Sequence, residues 1–196
     1  MQRRPIIIFI FKKQLLQRLV KMIKVLDNFL SKENHSSIIS MMKDPSFPWS
    51  YIEGTVYSSN NSKNLYDYQF VHMFYNNNTI LNSHSFQKLM PLFYALRATV
   101  LVRAKANLRP FSDKIIQSEM HVDIDYKDIE MRPEVMGVMK TAIYYLNTNN
   151  GYTLFAEGTK VESIENRVVI FPSNLMHAGT TCTNEKSRIV LNINYF

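Results

Sequence analysis

Residues 167–196 read RVVIFPSNLMHAGTTCTNEKSRIVLNINYF, and the apolar runs at the two ends of this stretch decide the fold class. RVVIFP and SRIVLNINYF are short, rich in β-branched and aromatic residues, and bounded by turn formers, which predicts strands rather than helices. Working back along the chain, KVESI, YTLFA, VMKTAIYYLN, SEMHVDID and TVLVRAKANL have the same character. Turn signals separate them: Arg109-Pro110, the NTNNG run at 147–151, Glu157-Gly158, Glu165-Asn166 and Ala178-Gly179. Seven short strands with hardly any helical pattern predict an all-β sandwich or jelly roll.

Upstream the pattern is mixed. YIEGTVY and DYQFVHMFY read as strands around a polar SSNNSKN loop. A helix fits Phe86 to Arg97, with Leu89, Leu92, Phe93 and Leu96 on one face. Ser31 is an N-cap for SKENHSSIISMMKD, a short amphipathic helix ending before Pro45 and Pro48. Leu15, Leu19, Met22, Leu26 and Phe29 recur at helical spacing, although KMIKVLDNFL could equally begin with a strand. The expected architecture is mainly β: a double-stranded β-helix (jelly-roll, cupin-like) core at about 99–196, with N-terminal helices packed on it. Residues 25–196 would form a single domain, and residues 1–24 a basic extension or helix.

The 196 residues carry a formal net charge of +7, which invites a nucleic-acid reading. Arg3, Arg4, Lys12, Lys13, Arg18, Lys21 and Lys24 precede the first acid, and the rest of the chain has as many acids as bases. The charge therefore belongs to the N-terminus, and a solvated helix face or a surface-binding arm would both account for it. The apolar run Ile6 to Phe11 is shorter than a signal-peptide core or a membrane span, so no transmembrane segment is expected. Cys182 is the single cysteine, which excludes an intramolecular disulfide and suits a reducing cytoplasm, the host's if the gene is viral.

Of the five histidines, His35 falls in a helix, His84 in a polar loop and His72 in an apolar strand, where a hydrogen-bonded core imidazole is the ordinary role. His121 and Asp123 are two apart, so on a strand both side chains leave from one face. His177 follows Asp123 by 54 residues, just beyond FPSNLM. Two imidazoles and a carboxylate meeting at one point would make the facial triad of a non-haem Fe(II) site, with coordination positions left open. Arg188, eleven residues beyond His177, opens the last strand, and its planar guanidinium suits a bidentate grip on a carboxylate.

HVD, the later histidine and the arginine beyond it together resemble the Fe(II)/2-oxoglutarate-dependent oxygenases, in particular the prolyl-4-hydroxylase-like branch. TAIYYLN resembles the "YYLN" strand of the oxygen-sensing prolyl hydroxylases, NGYTLF the "GGxTxF" segment, and NRVVIFPSNLMHAG the strand and turn that deliver the second histidine. The RIVLNINYF ending is similar too. The resemblance covers about Thr99 to Phe196, half of the chain. It implies iron ligands His121, Asp123 and His177, with Arg188 and Tyr145 on the distal carboxylate of 2-oxoglutarate. Thr141 would line the same pocket, and Asn192 would stand beside the metal ligands. Phe111 and Ser112 occupy the region where prolyl hydroxylases often have a tyrosine that meets the cofactor's other end. Asn107, on one face with Arg103 and Lys105, is the candidate to replace that contact. NNGYTLF has one glycine where the family commonly has two.

The implied function is a dioxygenase that takes Fe(II), 2-oxoglutarate and dioxygen, with room for ascorbate. It would hydroxylate a C–H bond of a prolyl or other peptide, amino-acid or small-molecule substrate and release succinate. An oxidative demethylase acting on nucleic acid is the alternative, disfavoured by the neutral body of the chain. A non-catalytic cupin-like binding barrel is the third reading. The Asn-, Ile- and Lys-rich composition suggests an AT-rich genome, and phage-encoded oxygenases of this layout look similar. Oligomeric state is left open.

Overall fold

The computed structural model describes residues 22–54, 65–81, 83–123 and 138–196. Most of the basic 1–24 segment, and the part of YIEGTVY beyond Gly54, lie outside these residues. Side-chain alternation in the last strand, β11 (Ser187–Tyr195), explains the layering. Ile189, Leu191, Ile193 and Tyr195 leave from one face, Arg188, Val190, Asn192 and Asn194 from the other, and all eight are buried. A strand buried on both faces must lie inside a sheet that is covered on both sides.

The other strands are β1 (Lys24–Leu26), β2 (Ser50–Glu53), β3 (Tyr68–Asn76), β4 (Thr79–Ile80), β5 (Leu101–Pro110), β6 (Lys140–Tyr145), β7 (Tyr152–Phe155), β8 (Lys160–Glu162), β9 (Val168–Pro172) and β10 (His177–Gly179). They form two antiparallel sheets. The large one runs β1-β9-β6-β11-β5-β3-β2, with β4 beside β3, and the small one runs β10-β7-β8. Among the described residues three helices of named range accompany them: α1 (Lys32–Lys43), α2 (Ser83–Gln87) and α3 (Met90–Leu96). Ile38 and Met42 of α1 and Leu92, Phe93 and Leu96 of α3 pack with Tyr144, Leu191, Ile193 and Tyr195 on the outer face of the large sheet. Ile143, Tyr145, Val169, Phe171 and Val190 of its inner face pack against Phe155 and Val161 of the small sheet. The predicted jelly roll with helices on one side is what forms.

Ser31 caps α1 as predicted, its hydroxyl accepting from the Asn34 amide at 3.3 Å. Residues 24–26 are a strand paired with β9, which resolves the helix-or-strand ambiguity there toward the strand. Four expectations change. The single helix over Phe86–Arg97 is two short helices broken at Lys88-Leu89, because Pro91 near the start of α3 has no N–H to give the preceding turn. His84 lies in α2 rather than in a loop. Arg109-Pro110 and Ala178-Gly179 are strand residues of β5 and β10 rather than turns. The described part of SEMHVDID, Ser118 to Asp123, is not a regular strand; it meets β10 through the single bridge His121–His177, while Gln117 just before it bridges Thr180 just after β10. Among the described residues, no helix is long and apolar enough to cross a membrane.

Candidate metal and cosubstrate site

The bridge between His121 and His177 places two imidazoles side by side. Each backbone N–H donates to the other residue's carbonyl at 2.9 Å, and the ring centroids lie 4.9 Å apart. In both rings Nδ1 faces a backbone carbonyl two residues earlier, at 3.0 Å: Glu119 for His121 and Leu175 for His177. A carbonyl can only accept, so Nδ1 carries the proton of the neutral ring and the Nε2 lone pair is left to bind. Asp123 Oδ2 is 3.6 Å from His177 Nε2, and ligand atoms of all three residues lie within 4.8 Å of one another.

Asp123 is oriented from the sheet behind it. Its Oδ1 accepts from Asn192 Nδ2 at 2.6 Å and lies 3.2 Å from Arg103 Nη2. Arg103 Nε in turn donates to Asn194 Oδ1 at 3.1 Å, and Asn194 Nδ2 donates to Thr141 Oγ1 at 2.8 Å. Oδ2 is buried with no hydrogen-bond partner among the described residues. Burial pushes the Asp123 carboxyl up, but His177, Arg103, His121 and Lys105 outweigh it and hold the group ionised. Burial, with His177 beside it, pushes the His121 imidazole down, toward the neutral form that binds metal. An orphaned carboxylate oxygen beside two imidazoles whose Nε2 atoms are left to bind is a donor set that fits a divalent first-row metal such as Fe(II).

Next to this cluster, the inner faces of β5 and β11 line a cavity with Lys105, Asn107, Arg109, Arg188 and Asn192, closed from the small-sheet side by Thr153. Arg188 is buried, 4% exposed. Its Nε donates to Ser163 Oγ at 2.7 Å and its Nη2 to Thr153 Oγ1 at 3.1 Å. Thr153 Oγ1 also accepts from the Tyr145 hydroxyl at 2.9 Å, and the Arg188 guanidinium carbon lies 5.5 Å from the Tyr145 ring centre. Gly151 makes room for this arginine: a Cβ there would stand 2.7 Å from Arg188 Cδ. Burial lowers Lys105, beside Arg103 and opposed by Asp123, to about 8.

The structure thus brings His121, Asp123, His177 and Asn192 together, and puts Asn107 and Arg188 in the lining of the adjoining cavity. Tyr145 lies behind Arg188 with its hydroxyl committed to Thr153. Thr141 is fully buried and bonded to Asn194 and Ser173, and is not among the residues that line the cavity. The sheet carries it one rung past Asn192, beyond the open space. Phe111 is 54% exposed and is not among the residues that line the cavity. Four participants were not anticipated in their roles: Arg103 on Asp123, Thr153 and Ser163 on Arg188, and Arg109 in the lining. Alternation of Thr153 with buried Phe155 in YTLF was a usable signal for the first of the two hydroxyls; Ser163 had none.

No protein-family model matches the chain, and no curated protein matches it in sequence. Solved structures do match. A prolyl hydroxylase from Trichoplax adhaerens, in complex with a hypoxia inducible factor oxygen degradation domain peptide fragment, has a TM-score of 0.62 at 16% identity, covering 95% of this chain and 92% of its own. An oxidoreductase of the 2OG-Fe(II) oxygenase family from Burkholderia pseudomallei gives 0.61 at 10%, covering 93% and 90%. The non-heme alpha ketoglutarate dependent epimerase SnoN from nogalamycin biosynthesis gives 0.62 at 12%, covering 94% and 83%. The fold of this chain is therefore the jelly roll of the 2OG-Fe(II) oxygenases. Neighbours that include a hydroxylase and an epimerase leave the reaction to be argued from the site.

Proposed function

We propose that this chain is an Fe(II)- and 2-oxoglutarate-dependent dioxygenase that hydroxylates a C–H bond of a peptide or amino-acid substrate, prolyl residues being the first candidates. The convergence of His121 Nε2, His177 Nε2 and Asp123 on one point inside this fold carries the reading. His121, Asp123 and His177 would hold the iron, and Arg188 the distal carboxylate of 2-oxoglutarate. When bound, iron and 2-oxoglutarate supply the oxidation: decarboxylation to succinate coupled to delivery of one oxygen atom of dioxygen to the C–H bond.

The residues do the positioning. The Nδ1 bonds of the histidines fix the tautomer and aim both Nε2 atoms at the same point. Asn192 and Arg103 occupy one carboxylate oxygen of Asp123, so the other is presented to the metal. Ser163 and Thr153 hold two edges of the Arg188 guanidinium and leave Nη1 toward the cavity side, where Gly179 lies near it. Asn107 faces the same space and would meet the cosubstrate's other end. Tyr145 supports Arg188 from behind, and Thr141 steadies the Asn194–Arg103 chain. Residues 25–196 are read as one catalytic domain and residues 1–24 as an appended basic segment.

The test is spectroscopic. Protein with Fe(II) and 2-oxoglutarate under anaerobic conditions should develop a visible charge-transfer band. Arg188→Ala should weaken 2-oxoglutarate binding by more than about ten-fold, the loss of a charge-assisted contact. No band, together with unchanged binding in Arg188→Ala, would sink the assignment.

A further inference from the structure

Lys24, Arg97 and Lys140 edge a groove on the outer side of the large sheet, away from the metal cluster. Its floor is apolar: Leu26, Phe29, Leu96 and Ile170 all pack in the outer-face core. Met22 and Val138 stand in its rim, 47% and 67% exposed. No Asp or Glu is among the described residues that line it. The three cations are exposed, and none is in an ion pair among the described residues. Lys140 Nζ lies over the Tyr195 ring, 6.0 Å from its centre.

The register spaces these charges. Lys24 stands opposite Ile170 on β9, and Lys140 opposite Pro172, two residues further along the same face. Two strand spacings and two residues of rise put the Cα atoms of the two lysines about 12 Å apart. A single anionic group cannot answer both, and Arg97 enters separately, from the end of α3. A ligand that complements the whole groove therefore carries several anions along an apolar body. Single-stranded nucleic acid has the anions but needs exposed rings to stack on, and Tyr195 and Phe171 are only 1% exposed. Residues 1–21 of this chain carry six bases and no acid, so their charge matches the rim instead of complementing it. We propose that this groove docks an acidic, apolar peptide segment of a partner protein, with carboxylates on Lys24, Arg97 and Lys140 and apolar side chains on the floor. The metal cavity, on the other face of the sheet, stays open while the partner is bound. The docking surface does not depend on the oxygenase reading.

The probe is a phage-displayed library of random dodecapeptides, selected on the full chain. Selected peptides should be acidic and carry large apolar residues. The best of them, made synthetically, should bind at least about ten-fold more weakly when Lys24→Gln, Arg97→Gln and Lys140→Gln are combined. Val138→Glu, which puts a like charge at an exposed rim position, should weaken it as well. A control combining Lys12→Gln, Lys13→Gln and Arg18→Gln should bind it within about three-fold of the parent chain. All these variants should keep the parent's melting temperature and its affinity for 2-oxoglutarate. The proposal is overturned if no acidic peptide is selected, or if the control loses as much affinity as the groove variant. It is also overturned if oligothymidine displaces the peptide at lower concentration than the peptide itself, which would make the groove a nucleic-acid site. A synthetic copy of residues 124–137, which hold four acids and two bases, binding as tightly as the selected peptides would make the occupant internal and overturn it too.

Discussion

At the scale of single residues, Gly151 and Arg188 are one unit. A Cβ at Gly151 would meet Arg188 Cδ and the Thr181 carbonyl, each at 2.7 Å, and Asn149 Oδ1 at 2.8 Å. Two of those three are held by the surrounding chain, so the arginine must yield. Gly151→Ala is therefore expected to cost about 1–3 kcal/mol of stability, the usual range for overpacking a closed site. It should weaken 2-oxoglutarate binding along with it, measured by denaturant unfolding and by calorimetry. A stable Gly151→Ala variant with unchanged affinity would refute the coupling. Asn192→Ala removes the shorter of the two bonds to Asp123 Oδ1. Loss of such a supporting contact should lower Mn(II) affinity roughly 10–100-fold while leaving the fold intact, read by metal titration and circular dichroism. At this scale the triad and Arg188 were legible, because their types and order survive in the sequence. Arg109 was not: the strand was read as ending at Leu108, with Arg109-Pro110 as a turn, whereas pairing with β11 extends it to Pro110.

Elements depend on one buried polar knot. His35 of α1 meets the Tyr144 hydroxyl of β6 through Nδ1 at 2.5 Å, and that hydroxyl donates to Asn166 Oδ1 at 2.8 Å. Asn166, at φ 59°, also binds the Leu30 backbone on both sides, which ties the entry to α1 to the turn before β9. Burial lowers the His35 imidazole below its ordinary 6.5, with Glu165 opposing. Below that pH the unfolded chain takes up a proton that the folded one resists, so stability is complete above pH 6.5 and is lost as pH falls through it. Melting temperature should hold steady above about pH 7.5 and decline below about 6.5, and His35→Gln should flatten the decline. An equal slope in both proteins would show that the knot does not carry it. The helix of α1 was readable from Ser31 and its periodicity. The break before α3 followed from Pro91, which the apolar spacing of Leu89, Leu92, Phe93 and Leu96 concealed: all four are buried even though the helix is interrupted.

For the whole molecule, charge and chemistry separate. Residues 1–21 contain six of the seven bases that precede the first acid, so their removal leaves a chain close to neutral. Deletion should stop at residue 21, because Lys24, Val25 and Leu26 pair with Ile170, Val169 and Val168. The shortened protein is expected to leave a cation exchanger at much lower salt, with 2-oxoglutarate binding unchanged. Loss of 2-oxoglutarate binding on deletion would tie the basic segment to the site instead. The sequence by itself determined the layers: strands of period two, an amphipathic α1, and the residue types of a metal triad, because local pattern and composition are written residue by residue. Only the tertiary structure decided which of those residues meet. His121 and His177 are 56 positions apart and touch through a single bridge, Arg103 of β5 meets Asp123 twenty positions later in the chain, and Arg109 faces Arg188 because β5 pairs with β11 in one register and not another. Register is a property of paired chains, set by packing on both faces of the large sheet, and a one-residue slip would have turned every one of these groups to the other side.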